Sequence, residues 1–455
     1  MSTHPPAVPA GLLRPQARSY LYRRIWRWHF YAGLLCLPLL LSLALTGALY
    51  VFHREVDDVV YRDLLLRQQV VAGPAADAER LVEAALARAP GRALALTWPS
   101  DDRHTVQVDV LQEHGARQVF LDPVSAAVQG SIASDDRLMS QVKRIHSLAV
   151  AGPLGQGLVE IAAGWLIVLA LSGVFLWWPR GHRGTWAIRK GAHGRTWWRD
   201  LHAVTGAYAA VLLVFLALTG MPWSVFWGHH VNGWLSAHGL GVPDGVWRNL
   251  PRSTVPVATL GEVPWTLERQ PLPRSLPGAD GARPVGAAAA ATRLSAMGMH
   301  AGVRLTLPQS ADGVYTGMRA HGVAMRQRTV HLDQYSGKVL MDIRAEDYGS
   351  AGRVIEWGVA VHQGDEYGRI NQLAMFAACL ALVALCASGV LTWWKRRPQG
   401  RLGAPRRNPG EPLPRAMLAM AALLGVLFPL VGASMLVVAA LDWCLPERWK
   451  QGGGM

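Results

Sequence analysis

Cysteine is scarce in this 455-residue chain, which has four of them, all in or beside apolar runs. A disulfide framework is therefore not expected, and the chain lacks the Cys-x-x-Cys-His pattern that attaches haem covalently. The polarity of a soluble protein is also lacking, since 51% of the residues are hydrophobic. Several apolar runs reach the length of about 18 residues that marks a bilayer span. The sequence therefore predicts an integral membrane protein.

Acidic residues are almost absent from three stretches that flank apolar runs. These stretches are rich in Arg and Lys and lie near 14–27, 179–200 and 395–415. In a soluble protein the net charge of +14 would suggest a nucleic-acid partner. Here the positive charge concentrates beside the apolar runs, which is the pattern of cytoplasmic membrane flanks. We therefore expect the three stretches in the cytoplasm, the lipid bilayer as the surroundings, and no nucleic-acid partner.

No small-residue cleavage site follows the first apolar run, which is also too long for the core of a signal peptide. We therefore interpret it as a retained span, and the basic flanks set the direction of every span. The predicted spans are 30–53, 157–178, 203–227, 370–394 and 416–441. The predicted cytoplasmic segments are 1–29, 179–202 and 395–415, and the external segments are 54–156, 228–369 and a C-terminal tail at 442–455.

The two long external segments repeat one order of elements, a helix followed by short alternating runs that are typical of strands. The predicted helices are 77–89 and 285–297, and the predicted strands are 93–97, 105–111, 118–121, 303–307, 314–318 and 328–332. The sequence thus predicts two small external α/β domains on a mainly α membrane protein.

The spans repeat as well, because each of two histidine positions recurs at a fixed distance from a small-residue motif. The recurring pairs are His29–Thr46 with His202–Thr219, and His146–Ser172 with His362–Ser388. We predict a tandem-repeat four-helix core, plus an unpaired fifth helix. Because both copies have the same direction, an axis along the membrane normal should relate them.

Four histidines of this repeat are the candidate ligands of a metal centre: His29, His202, His146 and His362. A single interfacial histidine is usually unremarkable, but recurrence at a fixed offset favours ligation. Haem iron can be held by two neutral imidazoles from different helices, and a pseudo-two-fold axis supplies such pairs. We predict two non-covalent b-type haems. The first two histidines would hold one near the cytoplasmic face, and the other two would hold one near the outer face.

Gly33 and Gly206 lie about one helical turn beyond the first two histidines. Two interpretations stay open, close approach of a haem to the backbone and close helix packing. Three further histidines lie outside the strict repeat and are second-tier candidates: His53, His229 and His230. They could be alternative ligands, substrate-side residues or interfacial residues. Zinc or copper is less favoured, because such sites use closely spaced ligands with Cys, Met or carboxylate. No catalytic acid or base is identified.

The motifs around the histidines resemble the PepSY-associated transmembrane family over about residues 20–397. They are Trp28-His29-x-x-x-Gly33 with Leu45-Thr46-Gly47, Leu201-His202-x-x-x-Gly206 with Leu218-Thr219-Gly220, Ser172-Gly173-Val174 with Trp177-Trp178, Val361-His362-Gln363-Gly364, and Ser388-Gly389-Val390 with Trp393-Trp394. The external units resemble PepSY domains, in which a strand leads into an Asp-x-x-Ser/Thr-Gly turn. Ala126 stands where the second copy has Gly337, so we expect the first turn to close differently.

The resemblance implies an iron-regulated protein of the bacterial inner membrane, of the ferric-siderophore reductase type. Electrons would pass from the cytoplasmic side through two haems to a periplasmic ferric siderophore or other Fe(III) chelate, releasing Fe(II). Some relatives carry a flavin and nicotinamide domain. No Gly-x-Gly-x-x-Gly unit follows Trp394, so we expect a separate protein or a quinol as the donor. Two alternatives remain open: a haem reductase of a cupric complex or redox protein, and a non-enzymatic PepSY protein that binds or regulates a periplasmic protein.

Overall fold

The computed structural model describes residues 15–69, 73–178, 186–243, 252–276, 283–319, 322–397 and 415–444. It divides into two compact units. The helical unit comprises Met1–Ala44, Gly157–Leu218 and Ala378–Met455, and the sheet unit comprises Leu45–Gln156 and Thr219–Ala377. Parts of the predicted cytoplasmic segments and most of the predicted C-terminal tail lie outside the described residues.

The described helices and strands are as follows, in chain order. The helices are α1 (Pro15–Tyr50), α2 (His53–Val60), α3 (Arg62–Leu65), α4 (Ala78–Arg88), α5 (Leu138–His146), α6 (Gly152–Trp177), α7 (Gly194–Gly220), α8 (Trp227–Ala237), α9 (Ala287–Ala296), α10 (Ser350–Gln363), α11 (Gly368–Trp394), α12 (Arg415–Leu427) and α13 (Pro429–Cys444). The strands are β1 (Arg92–Thr97), β2 (Val106–Gln112), β3 (Gly115–Leu121), β4 (Val128–Ala133), β5 (Arg252–Pro256), β6 (Pro271–Pro273), β7 (Arg304–Thr306), β8 (Val314–Arg319), β9 (Arg328–Asp333) and β10 (Val339–Arg344).

Four helical segments among the described residues are long and apolar enough to cross a membrane: Leu21–Tyr50, Ala149–Trp177, Gly194–Trp223 and Gly368–Trp394. The shortest has 27 residues, and at about 1.5 Å per residue it exceeds a bilayer core of about 30 Å. At most 39% of the most apolar window of any of them is buried within the protein. The other residues of these windows are half-buried or exposed. The first four predicted spans are therefore confirmed as helices of spanning length.

The predicted fifth span, 416–441, is wrong as a single helix. The segment forms α12 and α13, of 13 and 16 residues, which meet at Phe428. A Cβ on Gly432 would lie 2.6 Å from the Cα of Gly425, whereas residues seven apart in a continuous helix are separated by about 10 Å. The chain therefore reverses, and two glycines allow the close approach. The resulting C-terminal hairpin packs on α6, where the Trp165 indole donates to the Ser434 hydroxyl at 2.9 Å.

The predicted external strands form one sheet and not two separate domains. Its eight antiparallel strands run in the order β10-β9-β8-β7-β1-β2-β3-β4. The two sets of four strands join where β1 pairs with β7, with Leu96 opposite Leu305. The Arg304 guanidinium also pairs with the Asp109 carboxylate across this junction. Two isolated domains would have left β1 and β7 as unprotected edges, and pairing them removes that liability.

Helices α4 and α9 lie where the sequence predicts them, within about two residues at each end. The Asp77 side chain caps α4 by accepting from the Arg80 backbone N–H. Leu81 and Ala85, one turn apart on α4, are fully buried beside β2 and β3. On α9, Leu294 packs over Gly317 of β8, where a Cβ would lie 2.4 Å from a Leu294 methyl. The helix positions and the first three strands of each set are thus confirmed, while β4 and β10 were not predicted.

The two Asp-led turns close in the same way, which corrects the expectation based on Ala126. Asp122 Oδ1 accepts from the Val124 and Ser125 N–H groups and from the Ser125 hydroxyl. Asp333 makes the equivalent three bonds. Ala126 has φ 61° and Gly337 has φ 65°. Alanine therefore accepts a left-handed conformation that costs an L-residue about 1–2 kcal/mol, because the hydrogen-bonded turn fixes the backbone there.

Candidate functional site

His29 lies on α1 in the helical unit, and its ring is held by a residue of α6. His29 Nδ1 and Ser172 Oγ are hydrogen-bonded at 2.9 Å. The Ser172 hydroxyl itself donates to the Leu169 carbonyl at 3.2 Å, one helical turn back. Because that hydroxyl proton is already used, the oxygen accepts the Nδ1–H of His29.

His202 of α7 has the same arrangement with α11. Its Nδ1 lies 3.2 Å from Ser388 Oγ and 3.1 Å from the Leu385 carbonyl oxygen. A carbonyl can only accept, so Nδ1 carries the proton. The Ser388 hydroxyl donates to the Ala384 carbonyl at 2.5 Å. Two different helix pairs thus hold a histidine by the same nitrogen and the same kind of group.

These hydrogen bonds select one tautomer of each neutral ring. With the proton on Nδ1, the lone pair lies on Nε2, which is the ring nitrogen left for a metal. A histidine ligand usually donates its other N–H to a protein oxygen, and that bond orients the ring and raises its basicity. His29 and His202 therefore have the polar surroundings of metal ligands.

The structure brings these two imidazoles together. Their ring centroids lie 6.3 Å apart and their planes are inclined at 88°. Two imidazoles on opposite sides of one metal ion, each bonded at about 2 Å, have centroids roughly 6 Å apart. His29 and His202 are therefore close enough to hold one metal ion between them. Haem iron would need no other donors from the protein, because the porphyrin supplies the rest.

Glycine follows each of the two serines and leaves room for the ring. A Cβ on Gly173 would lie 3.3 Å from His29 Cε1, and a Cβ on Gly389 would lie 3.4 Å from His202 Cε1. These distances are shorter than relaxed packing, so any larger residue would push the imidazole. The Ser-Gly pair therefore provides both the acceptor and the space that the ring needs.

Gly33 and Gly206 face a different neighbour. A Cβ on Gly33 would lie 3.8 Å from a Leu169 methyl of α6, and one on Gly206 would lie 3.4 Å from the equivalent Leu385 methyl of α11. Of the two interpretations, helix packing has these direct contacts. The suggestion that the same glycines admit a haem stays a prediction.

The outer candidates His146 and His362 lie in the sheet unit, on α5 and α10 rather than on the spanning helices. His146 Nδ1 is hydrogen-bonded to Thr46 Oγ1 at 2.9 Å. His362 Nδ1 is hydrogen-bonded to Thr219 Oγ1, also at 2.9 Å. A Cβ on Gly220, next to that threonine, would lie 3.5 Å from His362 Cε1. Each outer histidine thus has a hydroxyl partner, as the inner two have.

The second-tier histidines have other partners. His53 Nδ1–H donates to the Tyr50 carbonyl, and its ring stacks on Tyr50 at a centroid distance of 5.0 Å. His230 Nδ1–H donates to the carbonyl of Phe226 in the turn before it. His229 Nδ1 lies 2.9 Å from a nitrogen of the Arg269 guanidinium, which is a donor. These Nδ1 contacts are with backbone carbonyls and a guanidinium, whereas Nδ1 of each repeat histidine is bonded to a hydroxyl.

The serines and threonines are the site residues whose role the sequence did not reveal. Their fixed distances from the histidines were visible, but those distances pair His29 with Thr46 along the chain. In the structure His29 is bonded to Ser172, and Thr46 is bonded to His146. A Thr-Gly or Ser-Gly recurring with each histidine was the available signal, although it could not say which hydroxyl meets which ring.

Comparison with known proteins identifies the family of this chain. The sequence model of one protein family, the PepSY-associated TM region, matches residues 26–396. These residues include all four repeat histidines and their hydroxyl partners. No curated protein matches the chain. A match over this length, which includes four apolar helices of spanning length and all ten strands, establishes the relationship. The chain belongs to the PepSY-associated transmembrane family.

Proposed function

We propose that this protein is a di-haem b-type reductase of the bacterial inner membrane. It takes electrons at the cytoplasmic side and passes them to a ferric siderophore or another Fe(III) chelate in the periplasm. The observation that carries the proposal is the pair His29 and His202, whose rings lie 6.3 Å apart with Nδ1 of each bonded to protein oxygen. Nε2 of each ring is then the nitrogen with the free lone pair, and the two histidines would hold one iron.

The proposal includes a tandem duplication of the core. Its support is the recurrence of contacts between equivalent residues in the two copies, which unrelated helices would not share. His29 with Ser172 corresponds to His202 with Ser388, and Thr46 with His146 corresponds to Thr219 with His362. Each copy thus has one serine-held and one threonine-held histidine.

The inner haem would be held by His29 and His202, and the outer haem by His146 and His362. When bound, haem supplies one-electron transfer, which its axial ligands and surroundings tune. Gly173 and Gly389 lie against the two inner rings, and Ser172 and Ser388 satisfy the ring N–H groups. The chain would therefore provide two ligands and fix their orientation.

Orientation follows from charge. Lys395, Arg396 and Arg397 end α11 on the side where His202 begins its span, and the Arg396 guanidinium stacks on Trp26 at 4.8 Å. Such basic and aromatic clusters favour the cytoplasmic interface. The sheet unit would then lie in the periplasm and provide the docking surface for the chelate. The donor would be a separate protein or a quinol.

Iron release needs no acid or base from the protein in this proposal. Hard oxygen chelators hold Fe(III) much more strongly than Fe(II), because the higher charge attracts hard donors more strongly. Reduction of the chelate by one electron therefore weakens its hold on the metal. The protein has to deliver that electron and to bind the chelate close enough for transfer.

The first test is the haem content of the purified full-length protein. A red preparation with a Soret band and two haems per chain by the pyridine haemochrome assay supports the proposal. A colourless protein, purified from cells supplied with haem, overturns it and favours the non-enzymatic PepSY alternative.

The second test concerns the acceptor. The haems are reduced with dithionite, excess reductant is removed, and reoxidation is followed with ferric siderophores, cupric complexes and ferricyanide. Faster reoxidation by ferric siderophores than by cupric complexes of similar potential supports a ferric siderophore as the electron acceptor. Equal or slower reoxidation would remove the iron assignment and leave a haem reductase of another acceptor.

A further inference from the structure

Each of the four repeat histidines is held at Nδ1 by a hydroxyl from another element. The pairs are His29–Ser172, His202–Ser388, His146–Thr46 and His362–Thr219. We propose that these serines and threonines are positioning residues that fix the ligating tautomer, and that the number of acceptors at each Nδ1 tunes the reduction potential of its site. This inference rests on the proposed haem function.

The first step of the argument is the direction of the hydrogen bonds. Ser172 donates to the Leu169 carbonyl and Ser388 donates to the Ala384 carbonyl, within their own helices. Each serine oxygen can therefore offer only a lone pair to the imidazole. The opposite tautomer, with the proton on Nε2, would place two lone pairs against each other. It would also point an N–H at the position of the metal.

The second step is the cost of leaving an N–H group without an acceptor between membrane-spanning helices. A buried N–H without an acceptor costs about 1–3 kcal/mol, so the ring would turn or change tautomer if its hydroxyl were removed. Gly173 and Gly389, which lie against the rings, have no side chain that could replace the lost acceptor. The hydroxyl is therefore the side-chain group that fixes the tautomer.

The third step is an asymmetry between the two inner histidines. Among the described residues, His29 Nδ1 has Ser172 as its hydrogen-bond partner, whereas His202 Nδ1 has both Ser388 and the Leu385 carbonyl. A backbone carbonyl remains when a serine is replaced. Ser172→Ala should therefore remove the acceptor of His29 entirely, and Ser388→Ala should leave His202 with one.

The consequence for potential follows from ligand basicity. An imidazole that donates its N–H is more basic and stabilises the ferric state more than the ferrous state. Losing such a partner typically weakens a metal site by about 10–100-fold. If the loss falls mainly on the ferric state, a tenfold effect raises a one-electron potential by about 59 mV.

The experiment compares Ser172→Ala, Ser172→Thr and Ser388→Ala in the full-length protein. Midpoint potentials come from spectroelectrochemical titration, and low-temperature EPR of the ferric protein reports the ligand field of each haem. We expect Ser172→Ala to raise one potential by about 59 mV or more and to change one EPR signal. We expect Ser172→Thr to restore both properties, and Ser388→Ala to shift the same haem by less.

Thr46→Val and Thr219→Val extend the test to the outer site, with Thr46→Ser as the rescue variant. Each valine variant is expected to change the midpoint potential and EPR signal of the outer haem and to leave those of the inner haem unchanged. Haem retention on gel filtration gives a readout that does not depend on activity. We expect the variants whose midpoint potential rises most to lose the most haem.

Several outcomes would overturn the inference. One is an unchanged potential and EPR signal in Ser172→Ala, and another is a larger effect from Ser388→Ala than from Ser172→Ala. If Ser172→Ala does not fold, Ser388→Ala and Thr46→Val still decide, since unchanged potentials in both count against the inference. A wild-type protein with two haems separates these results from failure of the proposed function, which a protein without haem would indicate.

Discussion

The imidazoles of His29 and His202 lie 6.3 Å apart, centroid to centroid, with perpendicular planes. They come from two helices that are far apart in the sequence. Each ring is held at Nδ1 by a helix other than its own, α6 for His29 and α11 for His202. Four helices therefore cooperate to bring the two imidazoles together.

His29→Ala and His202→Ala should each remove the same haem, because one iron needs both imidazoles for six-coordination. We expect the pyridine haemochrome assay to fall from two haems per chain to one in either variant. The low-temperature α-band that disappears should be the same in both. His146→Ala and His362→Ala should remove the other band. His230→Ala is the control, because His230 is exposed and bonds a carbonyl of its own turn. Loss of different bands from His29→Ala and His202→Ala would refute the pairing.

Gly337→Ala and Ala126→Gly should change stability in opposite directions. Both positions have left-handed backbone, with φ 65° and 61°. An alanine at Gly337 should lower the free energy of unfolding by about 1–2 kcal/mol. A glycine at Ala126 relieves a similar backbone strain, but it also raises the entropy of the unfolded chain, which offsets part of the gain. We expect a lower thermal unfolding midpoint for the first variant and an equal or higher one for the second. A clear loss of stability in Ala126→Gly would show that the alanine methyl packs more favourably than its backbone is strained.

His331 should make the sheet unit sensitive to acid. It is fully buried in β9, its Nδ1 is bonded to Thr316 Oγ1 at 2.9 Å, and burial lowers its pKa to about 4. The unfolded chain has a histidine pKa near 6.5, so the unfolded state takes up the proton first. The contribution of the neutral His331 to the free energy of unfolding is therefore fully present above about pH 6.5 and is lost as the pH drops towards 4. The full loss is about 3 kcal/mol.

The measurement is the thermal unfolding midpoint of the full-length protein between pH 7 and pH 4. His331→Gln should flatten the decline over this range, because it removes the titrating group. His114→Gln is the matched control, because His114 is an exposed histidine in the turn between β2 and β3. The same decline in wild type and His331→Gln would assign acid sensitivity to other groups.

The C-terminal hairpin of α12 and α13 should return the chain to the side from which it enters. The two helices are about 20 Å and 24 Å long, less than the bilayer core of about 30 Å, and they reverse at Phe428. Single cysteines introduced before Arg415 and after Cys444, in a background without native cysteines, should react with an impermeant maleimide from the same side. Labelling from opposite sides would show that the segment crosses the membrane, as the sequence predicted for 416–441. Gly432→Leu should disrupt the hairpin, because its Cβ would meet the Gly425 backbone.

Much of the architecture could be predicted from periodicity and composition. Four spans, helices α4 and α9 and six strands follow from local patterns that a short window contains. Strand β4 was missed because it has no alternation of buried and exposed residues, since every residue of Val128–Ala133 is half-buried. Strand β10 was not predicted either. The fifth span failed for a related reason: hydropathy counts apolar residues, and it does not register that Gly425 and Gly432 permit a reversal.

The sequence by itself determined the membrane character, the four spanning helices and the identity of the four repeat histidines, because hydrophobicity and fixed spacing are properties of the chain. Only the tertiary structure decided which hydroxyl meets which ring, that Leu385 adds a second acceptor at His202, and that β1 joins β7 into one sheet. Those relationships depend on hydrogen bonds between distant segments. Their geometry is set by how helices and strands pack in space, and spacing along the chain does not encode it.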